Sequence, residues 1–149
     1  MSLRAVNSLA HYTNWVIGHV HSGALGWVGM MSFGMMYWMA PRLWNRPLAR
    51  PNWATQHFWL ATIGIVIYTV SMWAAGLMEG LQWRAINETG QLAHPIFLDI
   101  VLRLTPFYWM RLAGGTMYLI GVIMMAINFW MTVRGPVPSP EPSAAPSAA

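Results

Sequence analysis

The chain reads as an all-α integral membrane protein, with three apolar helices drawn from a larger helical bundle and a tail that does not fold. Three observations carry that reading. Hydrophobic residues make up 56% of the 149 and charged residues only 8%, where a soluble domain carries about a quarter. The apolar residues gather in long stretches, at about 15–40, 57–78 and 108–133. Residues 135–149, GPVPSPEPSAAPSAA, hold nothing that could bury a core and are expected to be disordered. The organisation that follows is a membrane region over 1–134 and a Pro/Ala/Ser tail over 135–149.

Residues 1–14 carry Arg4, Asn7, Ser8, His11 and Asn14 and read as an aqueous or interfacial lead-in, too polar to be a cleavable signal. The first span, Trp15–Ala40, contains no Asp, Glu, Lys or Arg. As a helix it would reach roughly 39 Å, enough to cross a bilayer with some tilt. It is expected to stop at Ala40–Pro41. The loop 41–56 holds Arg42, Arg46 and Arg50 and no acid, so the positive-inside rule puts it on the cytoplasmic side. Its prolines at 41, 47 and 51 argue against continuous helix there.

The second span covers about His57–Met78. The segment after it, Glu79–Phe107, mixes Glu79, Arg84, Glu88, Asp99 and Arg103 and suits the outer face. Within it, Asn87–Gly90 reads as a turn and Pro95–Leu104 as a short surface helix ending before Pro106. The third span covers about Tyr108–Val133. The N-terminus is then outside and the C-terminus cytoplasmic. All eight basic residues are Arg and cluster near the expected membrane boundaries, which argues for lipid-facing topology and against nucleic-acid binding. There is no cysteine, so no thiolate metal site or disulfide enters.

The chemistry concentrates in the first span, whose only ionisable side chains are His19 and His21. Imidazole in a bilayer is costly unless paired or coordinated. Positions i and i+2 of a helix point about 200° apart, so one ion cannot take both. HVH instead offers one ligand to each side of the helix. Gly18, Ser22, Gly23, Ala24, Gly26 and Gly29 strip bulk from around the two rings, which would let a flat macrocycle or another backbone approach. The competing reading is a glycine-rich packing helix whose histidines bond to neighbouring helices.

The run HYTNWVIGHVHSGALGW at 11–27 resembles the tenth transmembrane helix of the catalytic subunit of haem-copper oxidases, and is most similar to the cbb-type (C-family) cytochrome c oxidases. The similarity continues through HFWLATIG at 57–64, MWAAGLMEGLQWRA at 72–85 and RLAGG at 111–115, covering about residues 5 to 134. In that family the first His of HxH is the proximal ligand of the high-spin haem and the second is an axial ligand of the low-spin haem. The resemblance thus implies His19 for the high-spin haem b and His21 for the low-spin haem b. It also implies that Arg111, in RLAGG, contacts a haem propionate, for which a guanidinium offers two parallel hydrogen bonds. Snorkelling of Arg111 to the interface is the alternative. His11 falls where groups behind the propionates lie, or in a solvated loop. His57 reads as an interfacial anchor and His94 as a loop residue. The complete catalytic subunit also requires copper, whose three histidines, together with the cross-linked tyrosine and the second axial His, have no counterpart here.

The resemblance therefore implies about the C-terminal quarter to third of a catalytic subunit, whether from a truncated gene, a fragment or a split subunit. Its place would be the bacterial inner membrane. Its partners would be the remaining helices of subunit I, c-type cytochrome subunits and cytochrome c as electron donor, and the complete enzyme would reduce oxygen to water with proton pumping. Alone, the chain is expected to be inactive. A nitric oxide reductase-like haem subunit, disfavoured by SGALGW after the motif, and a non-catalytic membrane packing or assembly protein are the other readings.

Overall fold

A computed structural model describes residues 3–136, so nearly all of the tail lies outside the described residues. The order is α1 (Arg4–Ala10), α2 (Asn14–His21), a π-helical segment (Ser22–Gly29), α3 (Met30–Leu43), α4 (Pro51–Gln82) and α5 (Phe97–Arg134). No strand occurs among the described residues, only the isolated bridge Ile86–Leu92. Both α4 and α5 are long and apolar enough to cross a membrane.

The antiparallel pair α4 and α5 is the frame. Gly64 meets Gly114, His57 meets Gly121 and Arg50 meets Asn128, so contacts recur two helical turns apart along both helices. At Gly64 and Gly114 the backbones touch: a Cβ on Gly64 would lie 2.6 Å from the Gly114 carbonyl oxygen, and one on Gly114 would lie 2.5 Å from that of Gly64. Small residues at a membrane helix crossing allow this approach, and dispersion between the backbones then supplies the attraction that water would supply elsewhere. Nearer the other end, Met72 and Ala75 of α4 pack with Ile100 and Leu104 of α5 in a buried cluster. Tyr68, Phe107 and Tyr108 close over it.

The structure differs from several sequence expectations. The lead-in, for which the sequence suggested only an aqueous or interfacial setting, carries a helix of its own, α1, over Arg4–Ala10. Its separation from α2 follows from Tyr12 at φ 64°, a left-handed conformation that ends a helix. Thr13 then joins the two ends: its Oγ1 donates to the Ala10 carbonyl at 2.7 Å and accepts from Trp15 N–H at 3.2 Å.

The first span is helical over Asn14–Leu43, two residues beyond Pro41. A proline so near the end costs only one internal bond, and Arg46 N–H returns to the Pro41 carbonyl at 3.0 Å. Pro51 begins α4, where its missing N–H has no helical partner to lose. The expected short surface helix is instead the start of α5, which passes through Pro106 without interruption. Buried Ile100 and Leu104 before the proline, and half-buried Phe107 and Tyr108 after it, hold both halves on α4.

His57 is not an interfacial anchor. It is 1% exposed, with Nδ1 bonded to the Tyr37 hydroxyl at 3.1 Å and its ring against Phe33. Lying seven residues into α4, it faces α5 at Gly121, which has no side chain to exclude it. The turn at Asn87–Gly90 forms as expected. Asn87 Oδ1 accepts from the Thr89 and Gln91 N–H groups, and Gly90 takes φ +78°. The 44–50 loop is fastened to α5: Asn128 accepts from Arg50 N–H and donates to the Arg50 carbonyl, both at 2.9 Å, and Thr132 Oγ1 accepts from Ala49 N–H at 3.0 Å.

Candidate haem-ligating site

Gly18 sets the direction of both candidate ligands. It presses α2 against α4 so closely that a Cβ there would meet Trp73 Cδ1 at 2.8 Å, Met72 Cβ at 3.0 Å and the Thr69 carbonyl oxygen at 3.2 Å. With Gly18 pointing at α4, helical geometry sends His19 about 100° to one side and His21 about 60° to the other. The neighbours agree. His19 is exposed and stacks on Trp15 with centroids 5.3 Å apart, and Trp15 in turn lies 6.4 Å from Trp73. His21 is half-buried and lies 5.0 Å from the Tyr68 ring.

The two imidazoles also differ in hydrogen bonding. His21 Nδ1 lies 2.8 Å from the Ile17 carbonyl oxygen. A carbonyl can only accept, so Nδ1 carries the proton and Nε2 keeps its lone pair. That is the arrangement usual for a metal-ligating histidine, whose other nitrogen donates to a backbone carbonyl. Immediately after His21 the backbone changes from α to π, the wider form often found at functional sites. Glycines 23, 26 and 29 keep this segment slim. Tyr118 donates from its hydroxyl to the Leu25 carbonyl at 3.0 Å, reaching it over Gly29, where a Cβ would lie 2.5 Å from the Tyr118 hydroxyl oxygen.

Beside Tyr68 runs an open groove of about 600 Å³, bounded on α5 by Tyr108, Arg111, Gly115 and Leu119. These recur every three or four residues, so they form one stripe of the helix. Arg111 is half-buried, its guanidinium carbon 5.8 Å from the Tyr68 ring and its Nη1 3.9 Å from Met72 Sδ. Among the described residues no acid pairs with it, so its charge is available to an anion in the groove. Tyr68 thus neighbours both His21, at 5.0 Å, and Arg111, at 5.8 Å.

Other sequence candidates fall elsewhere. His11 sits on the break between α1 and α2, exposed and against Tyr12, so no continuous helix carries it in line with His19. Arg103 is exposed, and His94 lies in the 83–96 connection. Among the described residues no three His, Asp or Glu side chains gather to hold a metal ion between them. Sequence reading missed Tyr68, Tyr108 and Glu79. Glu79 is 7% exposed and accepts from Asn14 N–H at 2.8 Å and Asn14 Nδ2 at 2.9 Å. Its signal was present in GLMEG at 76–80, two glycines at the spacing that lets another backbone approach.

The family model for cytochrome c and quinol oxidase polypeptide I matches residues 1–117. Among curated proteins, cytochrome c oxidase subunit 1 of Rhodobacter capsulatus is 54% identical over 134 residues, covering 89% of this chain and 25% of the relative. The bacteroid cytochrome c oxidase subunit 1 homolog of Bradyrhizobium diazoefficiens is 53% identical over 138 residues, covering 90% and 24%. Cbb3-type cytochrome c oxidase subunit CcoN1 of Stutzerimonas stutzeri is 43% identical, covering 97% and 31%, whereas a nitric oxide reductase chain of the same organism is only 28% identical at the same coverage. The chain thus spans about a quarter to a third of the length of these relatives. With two helices able to cross a bilayer, it is an integral membrane member of the cytochrome c and quinol oxidase polypeptide I family and corresponds to a stretch of a cbb-type subunit I.

Proposed function

We propose that this chain supplies axial ligands to two haem irons, one on each side of α2, within a cbb-type cytochrome c oxidase. His21 takes the low-spin haem b through Nε2, and His19 takes the high-spin haem b on the other side. The observation that carries the reading is the His21 Nδ1–H bond to the Ile17 carbonyl at 2.8 Å, which leaves the Nε2 lone pair to a ligand on a ring 5.0 Å from Tyr68, itself a wall of the groove that holds Arg111. The residues present suit haem in three ways: a free imidazole nitrogen, an aromatic-walled groove, and an arginine placed to receive a carboxylate. When bound, the haems would supply one-electron redox chemistry and, at the high-spin iron with copper, the reduction of oxygen to water.

The chain's own share is holding and orienting. The Ile17 carbonyl fixes the His21 tautomer and raises the ligand's basicity. Arg111 neutralises and orients a propionate, while Tyr68 lies beside both His21 and Arg111. Trp15 limits rotation of the His19 ring. The helical segment His19–Val20–His21 would hold the two irons at a fixed separation, which favours fast electron transfer between them. Copper ligands, the c-type cytochrome subunits and the cytochrome c donor are contributed by the rest of the complex. In this reading the complex lies in the bacterial inner membrane, with the 44–50 loop cytoplasmic, and proton pumping accompanies turnover.

The test uses the complete oxidase carrying His19→Ala or His21→Ala, with assembly verified by subunit content. His19→Ala should abolish carbon monoxide binding at the five-coordinate haem while most of the low-spin spectrum survives. His21→Ala should convert the low-spin haem to high spin or lose it. Unchanged signals from both haems in both variants would favour a packing role for the helix, and identical damage to one haem would sink the opposite-side assignment.

A further inference from the structure

The helix that bears both histidines is short, and its two ends join segments of different backbone geometry. Residues Asn14–His21 are preceded by the left-handed break at Tyr12 and followed at once by the π segment. On its N-terminal side no α-helical ladder reaches it, and on its C-terminal side only Ser22 N–H, bonded to the Gly18 and His19 carbonyls, continues the ladder before the wider π turns begin. Rotation matters here: a side-chain nitrogen roughly 6 Å from the axis moves roughly 1 Å for a 10° turn. Metal–ligand distances tolerate only about 0.2 Å. Something outside α2 must therefore set its rotation.

We infer that Glu79 is the positioning residue that locks the rotation and height of the histidine-bearing helix, and ties it to the arginine-bearing groove. One carboxylate oxygen, Oε2, accepts both from the backbone N–H of Asn14, the first residue of α2, and from its side-chain Nδ2. The backbone bond sets height along the axis, and the side-chain bond sets rotation about it. Asn14 Nδ2 also donates to the Tyr108 hydroxyl at 3.2 Å, and Tyr108 lines the groove that holds Arg111. Gly76 and Gly80 flank the carboxylate on α4 and let Trp15 and Leu9 approach to backbone contact. A larger residue at Gly76 would push α2 off the acid, and one at Gly80 would push away α1. Burial of Glu79 to 7% exposure is thus met by fixed donors, and its negative end faces the positive end of the α2 macrodipole.

This inference rests on the haem-ligand reading, and its test separates the two. Both donors meet one oxygen, so a neutral amide oxygen can replace the carboxylate. In the complete oxidase, Glu79→Ala should cause a roughly 10-fold fall in activity, with the altered low-spin g-values of a rotated imidazole. Glu79→Gln should restore both close to wild type. A second pair guards against failure to assemble: Asn14→Asp sets carboxylate against carboxylate and should reproduce the defect, and Asn14→Asp with Glu79→Gln, where donor and acceptor are exchanged, should recover most of it. Wild-type spectra in Glu79→Ala, equal damage in the Ala and Gln variants, or no recovery in the double variant would each overturn the anchor. His21→Ala run alongside identifies the other failure: if it leaves the low-spin signal intact, the ligand reading itself has fallen.

Discussion

Gly64 on α4 and Gly114 on α5 face each other so closely that neither could carry a methyl group without striking the other's carbonyl oxygen, at 2.6 and 2.5 Å. Both contacts are with backbone, which cannot swing aside. A Cβ on Gly114 would in addition lie 2.8 Å from Tyr68 N, one residue along from Ile67. The crossing therefore sets where Tyr68, the neighbour of both His21 and Arg111, stands against the groove.

Gly114→Ala should cost about 1–3 kcal/mol, the usual penalty for forcing extra volume into a packed contact. Thermal loss of the low-spin haem signal from the detergent-solubilised oxidase would report it as a lowered midpoint. Gly114→Leu should prevent stable accumulation altogether. An alanine variant with an unchanged midpoint would show that the helices separate at this level.

Arg111→Gln should lower the midpoint potential of the low-spin haem, because removing a nearby positive charge favours the oxidised, more positive state of the iron. Arg111→Lys should lower it less, since it keeps the charge and loses the two-pronged geometry. Redox titration of the assembled enzyme measures both, and an unchanged potential in Arg111→Gln would place Arg111 away from the haem.

Asn128 is completely buried and satisfies both backbone groups of Arg50. Asn128→Leu would leave an N–H and a C=O unpaired, at about 1–3 kcal/mol each. The loop before α4 should then loosen. Faster protease cleavage within 44–50 in inverted membrane vesicles is the expected result. Cleavage as slow as in wild type would mean that the Thr132 bond to Ala49 and the bond from the Arg46 guanidinium to the Val133 carbonyl suffice.

The orientation can be tested at two exposed positions, Asn45 and Asn87. The chain has no cysteine, so one introduced at either is unique within it. A membrane-impermeant thiol reagent applied to intact cells should label Asn87→Cys and spare Asn45→Cys until the cells are opened. The reverse pattern would invert the topology.

How much of this was visible in the sequence can be judged residue by residue. The helical class was legible because a bilayer leaves a charge-poor apolar chain few ways to satisfy its backbone. The divergence of His19 and His21 followed from two-residue spacing on a helix, and the turn at Asn87–Gly90 from local side-chain chemistry. Each of these depends only on neighbours in sequence. Helix ends were less legible: α5 runs through Pro106 because packing on α4 outweighs one lost bond, and only the packed pair contains that information. The burial of His57 opposite Gly121, the placing of Tyr68 beside His21 and Arg111, and the grip of Glu79 on Asn14 are meetings of residues far apart in the chain. They depend on where glycines let backbones touch. A glycine in the sequence shows that such contact is allowed, and only the folded arrangement decides which partner makes it.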